Sequence, residues 1–193
     1  IAGFAASEPV RGSKSPPMFR FSPETAEDEA EVEYLLDLCF APGRTALSSY
    51  RLRDGVPKVA DFSLVARDDY SGIAGSIRYW PVEIGPTGAT ALLLGPVAVH
   101  PTHQGEGLGA MLILESLDMA RQSGWERVIL VGDAPYYGRF GFQRAAHLKF
   151  PPPTNPDRVL ALELVEGGFD GVKGTVRKFG TAKALQSARP IRK

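Results

Sequence analysis

Residues 92–124 read LLLGPVAVHPTHQGEGLGAMLILESLDMARQSG, and the reading of this stretch decides the fold. Leu92 to Val99 is a short apolar run with valine at alternate places near its end, the pattern of a buried strand. Gly95-Pro96 interrupts it. Pro96 has no N–H to give to a ladder, so a bulge is expected there. His100 to Gln104 is a loop. Gly105, Gly107 and Gly109 follow, alternating with Glu106 and Leu108, and a helix then runs to about Ser123 with Gly124 as its stop. Strand, glycine loop and helix together suit a phosphate. The first N–H groups of the helix have no intrahelical partner, the helix dipole adds partial positive charge, and glycine lets oxygens approach the backbone.

Alternatives to this loop can be weighed from the residues. A helix start that is merely glycine-rich loses roughly 1 kcal/mol for each glycine inside the helix, which disfavours it. A P-loop needs Gly-Lys-Ser/Thr, and no lysine follows these glycines. Gly105, Gly107 and Ala110 do satisfy the dinucleotide fingerprint G-x-G-x-x-A, with Asp133 near the end of the next strand. Against it, the loop His100–Gln104 intervenes between Val99 and Gly105, where a Rossmann turn follows its strand at once. No further strand–helix–strand repeats follow Asp133 either.

Working outward, Gly85-Pro86-Thr87-Gly88 turns residues 73–84 back onto residues 89–99 as an antiparallel hairpin. Pairing from the turn sets residue n roughly opposite 173 − n, which places Val97 near Ser76 and Glu83 near the hairpin tip. Phe62 to Arg67 precedes this pair as another strand, and Met18 to Phe21 as a short first one. Ser22-Pro23 reads as N-cap and first residue of a helix. Its apolar face is Val32, Leu35, Leu36, Cys39 and Phe40. Pro42-Gly43 breaks that helix, and Arg44 to Leu52 is a candidate second one. The helix after the glycine loop carries Ala110, Ile113, Leu114, Leu117 and Ala120 on one face. A strand at Arg127 to Val131, a short helix at Pro135 to Phe140, and strands at Val159 to Val165 and Val172 to Phe179 complete the reading.

Composition bounds the rest. The length suits one domain, and with 44% hydrophobic and 23% charged residues the chain can bury a core. Formal net charge is zero, which argues against nucleic acid as a partner; no apolar run is long enough for a membrane span. Acids cluster early, at Glu24, Glu27, Asp28, Glu29, Glu31, Glu33 and Asp37. A solvated helix face is the plain reading, and recognition of a cationic substrate the sharper one. The single Cys39, on an apolar face, reads as packing and suits a reducing, cytoplasmic setting. Three scattered histidines and one cysteine give no metal-ligand spacing. Residues 1–17 read as a flexible arm, with Met18 a candidate natural start. Residues 181–193 read as a basic tail.

Two motifs then carry a resemblance. V-A-V-H-P-T-H-Q-G-E-G-L-G at 97–109 resembles the acetyl-CoA motif of the GNAT superfamily of N-acetyltransferases, R/Q-x-x-G-x-G/A. G-D-A-P-Y-Y-G-R-F-G-F at 132–142 is similar to that family's later tyrosine-plus-Gly-Phe segment, in wording nearest its YhbS-like bacterial branch. The resemblance covers residues 18–180 as an acetyltransferase domain. It implies an α/β fold with a mixed, largely antiparallel sheet of six to seven strands flanked by helices. It also implies acetyl-CoA as co-substrate. Gln104, Gly105, Glu106, Gly107, Leu108 and Gly109 would cradle the pyrophosphate. Val97, Ala98 and Val99 would line the pantetheine arm, with Val97 and Val99 pairing with it as if it were another strand.

Tyr137 stands four residues before Gly141-Phe142, the spacing of the family's tyrosine, and is the candidate acid for the departing thiolate. Tyr136 beside it remains the alternative. Leu130 stands where the family often has asparagine. No general base is singled out: Leu92, Leu93 and Leu94 occupy the strand where many relatives carry glutamate, Glu83 lies near the hairpin tip, and His100 and His103 face the phosphates or solvent. The acceptor implied is a primary amine, either a small molecule or a protein lysine or N-terminus, and a homodimer stays open. A non-catalytic acyl-CoA sensor or interaction module of the same fold is the alternative function.

Overall fold

In a computed structural model, which describes residues 18–40 and 43–180, nine strands form a mixed, mostly antiparallel sheet. Seven lie along one path: β1 (Arg20–Pro23), β2 (Leu64–Arg67), β3 (Ile73–Ile84), β4 (Ala89–Val99), β5 (Arg127–Val131), β8 (Val159–Glu163) and β6 (Gln143–Arg144). Beside them β9 (Gly174–Lys178) pairs with the far end of β3, and β7 (Leu148–Lys149) pairs with β9. Along the main path only β4 and β5 run parallel. That single parallel step, between strands joined by a helix, excludes the doubly wound sheet a dinucleotide site needs.

Strand alternation sorts the two faces of the sheet. Ile77 and Tyr79 of β3, Leu92 and Leu94 of β4 and Val128 and Leu130 of β5 face α3 (Leu108–Gln122), the helix after the glycine loop. α3 buries Leu108, Leu112, Ile113, Ser116, Leu117 and Ala120. Leu114, expected on its apolar face, is exposed. Ser116 takes the central place instead, because the buried Tyr79 hydroxyl needs a partner and finds the Ser116 hydroxyl at 2.9 Å. The opposite face is covered by α1 (Glu29–Cys39), through Val32, Leu35 and Leu36 on Val65, Ile73 and Ala98. Further along the same face, Leu52 packs with Val82, Leu93 and Ile129.

Several expectations shift locally. Ser22-Pro23 belongs to β1 rather than to a helix start. The first helical turn begins at Thr25, whose N–H and hydroxyl are both bound by the Asp28 carboxylate, at 2.9 and 3.1 Å. Arg44 to Leu52 forms a 3-10 turn at Arg44–Ala46 and one α turn, α2 (Ser48–Arg51), in place of a continuous helix. Pro135 to Phe140 is a helical turn, α4 (Ala134–Tyr137), running into a 3-10 turn. The bulge expected at Gly95-Pro96 is present: Tyr79 pairs with Leu94 but Ile77 with Val97, so both residues stand opposite Arg78. It moves the register by one, and Val97 faces Ile77 rather than Ser76. The proposed arm 1–17, the break at Pro42 and the tail 181–193 lie outside the described residues.

Candidate active site

The parallel step between β4 and β5 is short. It holds at Leu92–Val128 and Leu93–Ile129 and then ends, although β4 continues to Val99 and β5 to Val131. Beyond Leu93 the two strands part, and the edge of β4 from Leu94 to Val99 that would face β5 has no strand partner among the described residues. A cavity of about 160 Å³ occupies the divergence, lined by Leu94, Gly95, Pro96, Val97, Val131 and Tyr137, among others. The bulge sits at this point, so the backbone of Gly95-Pro96 is turned out of the regular ladder beside the cavity.

The other end of that edge leads to the glycine loop. Gly105 (φ 86°) and Gly107 (φ 80°) are both left-handed, with open space where a Cβ would stand, so backbone conformation rather than crowding requires glycine there. Met111 N–H closes the first helical bond on Gly107 O at 3.1 Å. The N–H groups of Leu108, Gly109 and Ala110 therefore precede any intrahelical bond of α3. Gln104 turns its side-chain amide back to Val99 O (3.3 Å), tying the loop to the end of β4. Glu106, between the two left-handed glycines, is drawn to His103 Nδ1 at 3.0 Å. His103 also approaches Asp68 at 3.5 Å, and His100 bonds Thr102, so both rings are engaged around the loop. Cys39 gives its thiol hydrogen to Val99 O (3.3 Å) and is half-buried; burial raises its pKa, as expected for a packing residue.

The two tyrosines separate. Tyr136 lies toward the glycine loop, its hydroxyl 3.2 Å from where a Gly109 Cβ would stand, with Arg139 stacked on its ring at 4.6 Å. Tyr137 lines the cavity between β4 and β5. Its ring rests against Gly132, where a Cβ would come within 2.5 Å, and edge-on to Phe142 at 5.9 Å. These contacts account for the glycine just after β5 and for Phe142, while Gly141 is left-handed at φ 90°. Its hydroxyl makes no hydrogen bond among the described residues. Burial, and then the neighbouring Tyr136, push its pKa up to about 12, against a smaller pull from Arg158. It is therefore protonated throughout the neutral range.

A second, larger cleft of about 780 Å³ adjoins this cavity on the α1 face and shares Arg44, Tyr50, Arg53 and Pro96 with it. Here the early acids find partners. Glu24, at the end of β1, is buried and accepts from Arg78 (2.7 and 2.8 Å) and Lys58 (3.0 Å). Glu33 of α1 is held by Arg78 and by Arg44 at 2.6 Å. Burial alone would raise the Glu33 pKa, but these hydrogen bonds outweigh it and hold the carboxyl below its usual range. Arg44 also reaches Asp37 (2.9 Å) and the Tyr50 hydroxyl (2.8 Å). Glu24, Asp28, Glu33 and Asp37 are thus counter-ions to Arg78, Lys58, Arg67 and Arg44, while Glu27, Glu29 and Glu31 are exposed, as a solvated helix face requires.

A family model described as the acetyltransferase (GNAT) domain matches residues 60–144. An uncharacterized N-acetyltransferase of Escherichia coli K12, YhbS, is 32% identical over 115 residues, covering 58% of this chain and 69% of that protein. The chain belongs to the GNAT N-acetyltransferases. The crystal structure of E. coli YhbS in complex with CoA superposes with a TM-score of 0.73 at 27% identity, over 88% of this chain and 93% of that one. A GNAT family acetyltransferase from Brucella melitensis in complex with acetyl-CoA gives 0.64 at 29% identity, over 84% and 97%.

In this GNAT chain the positions chosen from sequence on the donor side, Val97 to Val99, Gln104 to Gly109 and Tyr137, fall along one track from cavity to loop. Tyr136 meets that track at Gly109 rather than at the cavity. Arg53, Tyr50, Trp80, Arg78 and Arg44 were not singled out from sequence. Their one signal was the alternation of β3, which sets Arg78 and Trp80 on the face opposite Ile77 and Tyr79. No group of residues capable of holding a metal occurs among the described residues, and none of their helices is long and apolar enough to cross a membrane.

Proposed function

We propose that this acetyltransferase moves the acetyl group of acetyl-CoA directly to the nitrogen of a primary amine, with both substrates bound together. The observation that carries the reading is the unpartnered edge of β4, which runs from the Tyr137 cavity to the glycine loop. Val97 and Val99 would pair with the amide groups of the pantetheine arm through that edge. Backbone N–H groups at the bulge would polarise the thioester oxygen. The loop from Gln104 to Gly109 would hold the pyrophosphate with the free N–H groups of α3. Fit supports this: the edge of β4 has no strand partner among the described residues, the loop is left-handed at two glycines, and the Glu106 carboxylate is turned to the His103 ring.

The amine nitrogen attacks the thioester carbonyl carbon, a C–N bond forms and the C–S bond breaks. The thiolate takes a proton from the Tyr137 hydroxyl, and the nitrogen sheds one to water, from which Tyr137 is reprotonated. An alkylamine with a pKa near ~10.4 must first deprotonate. Tyr137 rather than Tyr136 has this role because it lines the cavity, whereas the Tyr136 hydroxyl lies by Gly109. The catalytic unit is residues 18–180, and the lone thiol suits a reducing, cytoplasmic setting.

The test is kcat on a turned-over amine. Tyr137→Phe keeps the ring and removes the hydroxyl; loss of a general acid is worth about 10²–10⁴ in rate. We expect a fall of that order with acetyl-CoA affinity retained, and little change for Tyr136→Phe. The reverse pattern assigns the proton to Tyr136. Acetyl-CoA binding with no turnover of any amine replaces the enzyme reading with that of an acyl-CoA sensor.

A further inference from the structure

We infer that the acceptor of this enzyme is an amine that also carries an anionic group, a carboxylate or a phosphate-like oxyanion, and that Arg53 is the residue that binds the anion. The inference rests on the acetyl-transfer reading above and names the substrate class for that site.

Charge pairing in the cleft points to Arg53. Arg78 has Glu24 and Glu33, Arg44 has Glu33 and Asp37, and Lys58 has Glu24. Arg51, exposed at the cleft, donates to Pro152 O; Arg53 is left with no carboxylate and no carbonyl partner among the described residues. Its Nε and Nη1 are buried and make no hydrogen bond there. A buried guanidinium without an acceptor is costly, and most buried cations are paired. Burial lowers the Arg53 pKa to about 10, with Tyr50 opposing and Arg78 and Arg44 adding to the fall; the group is still cationic at neutral pH.

What holds it there is aromatic. The guanidinium carbon lies 4.5 Å from the Tyr50 ring centre and 4.6 Å from that of Trp80. Aromatic rings attract the cation without accepting from its N–H groups as a carboxylate would, and the fork of those N–H groups suits a two-oxygen anion. The Tyr50 hydroxyl is meanwhile occupied by Arg44, so the stack is itself braced.

Position links the cation to the chemistry. Arg53 lines both the large cleft and the small cavity. Its Nη2 lies 3.9 Å from where a Cβ on Gly95 would stand, at the bulge of β4 beside the cavity that Tyr137 borders. An anion bound at Arg53 would thus hold the rest of its molecule next to the thioester. The exposed Glu29 and Asp54 also line the cleft and would face the solvent end of such a substrate.

The experiment uses matched acceptors: ω-amino acids from glycine to 6-aminohexanoate, aminoalkylphosphonates, and the corresponding neutral amides. For the wild type we expect kcat/KM for the best acid to exceed that of its amide at least tenfold. In Arg53→Gln the acid-to-amide ratio should collapse toward one, and Arg53→Lys should restore part of it. In parallel, the acids and amides are titrated into the CoA-bound protein with tryptophan emission as the readout, since Trp80 stacks on Arg53. Saturable quenching by acids and not by amides is expected, and Arg53→Gln should abolish it. Amides that match acids in both assays overturn the anion subsite while leaving acetyl transfer standing. Absence of turnover for every amine counts against acetyl transfer, and the emission titration then decides the anion subsite by itself. A variant whose defect lies in acetyl-CoA affinity, with the acid-to-amide ratio intact, would assign Arg53 to the donor and contradict the inference.

Discussion

The edge of β4 with its glycine loop, proposed to hold the donor, and the larger cleft, proposed to hold the acceptor, meet at Gly95-Pro96, yet they are built in opposite ways. The track is one continuous piece of chain, from Leu94 through the bulge and the glycine loop into α3, and it works with backbone groups: an open strand edge and unbonded N–H groups. The cleft is gathered from the end of β1, from α1, from the turn around α2 and from β3, and it works with side chains in ion pairs and ring stacks. Backbone recognition depends on strand, turn and helix start falling in the right order, which is local. Side-chain networks depend on which distant segments touch, which is a property of the whole fold.

The difference predicts different failures. The largest stability effect belongs in the cleft. Glu24→Gln leaves the guanidinium of Arg78 buried with only Glu33 beside it, and breaking a buried pair from one side costs about 3–5 kcal/mol. Because Glu33 remains, the lower end of that range is expected, read as a lowered denaturant midpoint. A loss near zero would mean the network is solvated and the cleft less closed than its geometry indicates. On the track a smaller effect is expected. Gly107→Ala meets no neighbour, but it forces a Cβ onto a left-handed residue, at about 1–2 kcal/mol. The expected readout is a fall of about tenfold in acetyl-CoA affinity with the acceptor KM little changed. If instead the acceptor KM carries the defect, the division between a backbone site and a side-chain site fails.

The same contrast explains how far the sequence could be read. Residues 92–124 announce strand, bulge, loop and helix in order, because each step has a local cause: proline without a donor, glycines at left-handed positions, periodicity in α3. Tyr137 was singled out by its distance to Gly141-Phe142, and the structure sets its ring edge-on to Phe142 and against Gly132. Register was legible only to within the bulge, which displaced Val97 by one partner. The acids from Glu24 to Asp37 were visible as a cluster, but a cluster on one element does not say which cations the fold brings to it, and the cations come from Arg44, Lys58, Arg67 and Arg78. Ser116 was invisible for a similar reason: a serine on an apolar helix face makes sense only once the Tyr79 hydroxyl is known to lie beneath it.

The most direct test of the donor track is amide hydrogen exchange, residue by residue, with and without acetyl-CoA. An open strand edge and a free helix start should exchange readily in the unliganded protein and slow on binding. The account predicts protection concentrated at Gly95 to Val99, excluding Pro96, and at Gly105 to Met111, with the strands away from the opening unchanged. Acetyl-CoA binding that protects neither stretch would contradict it.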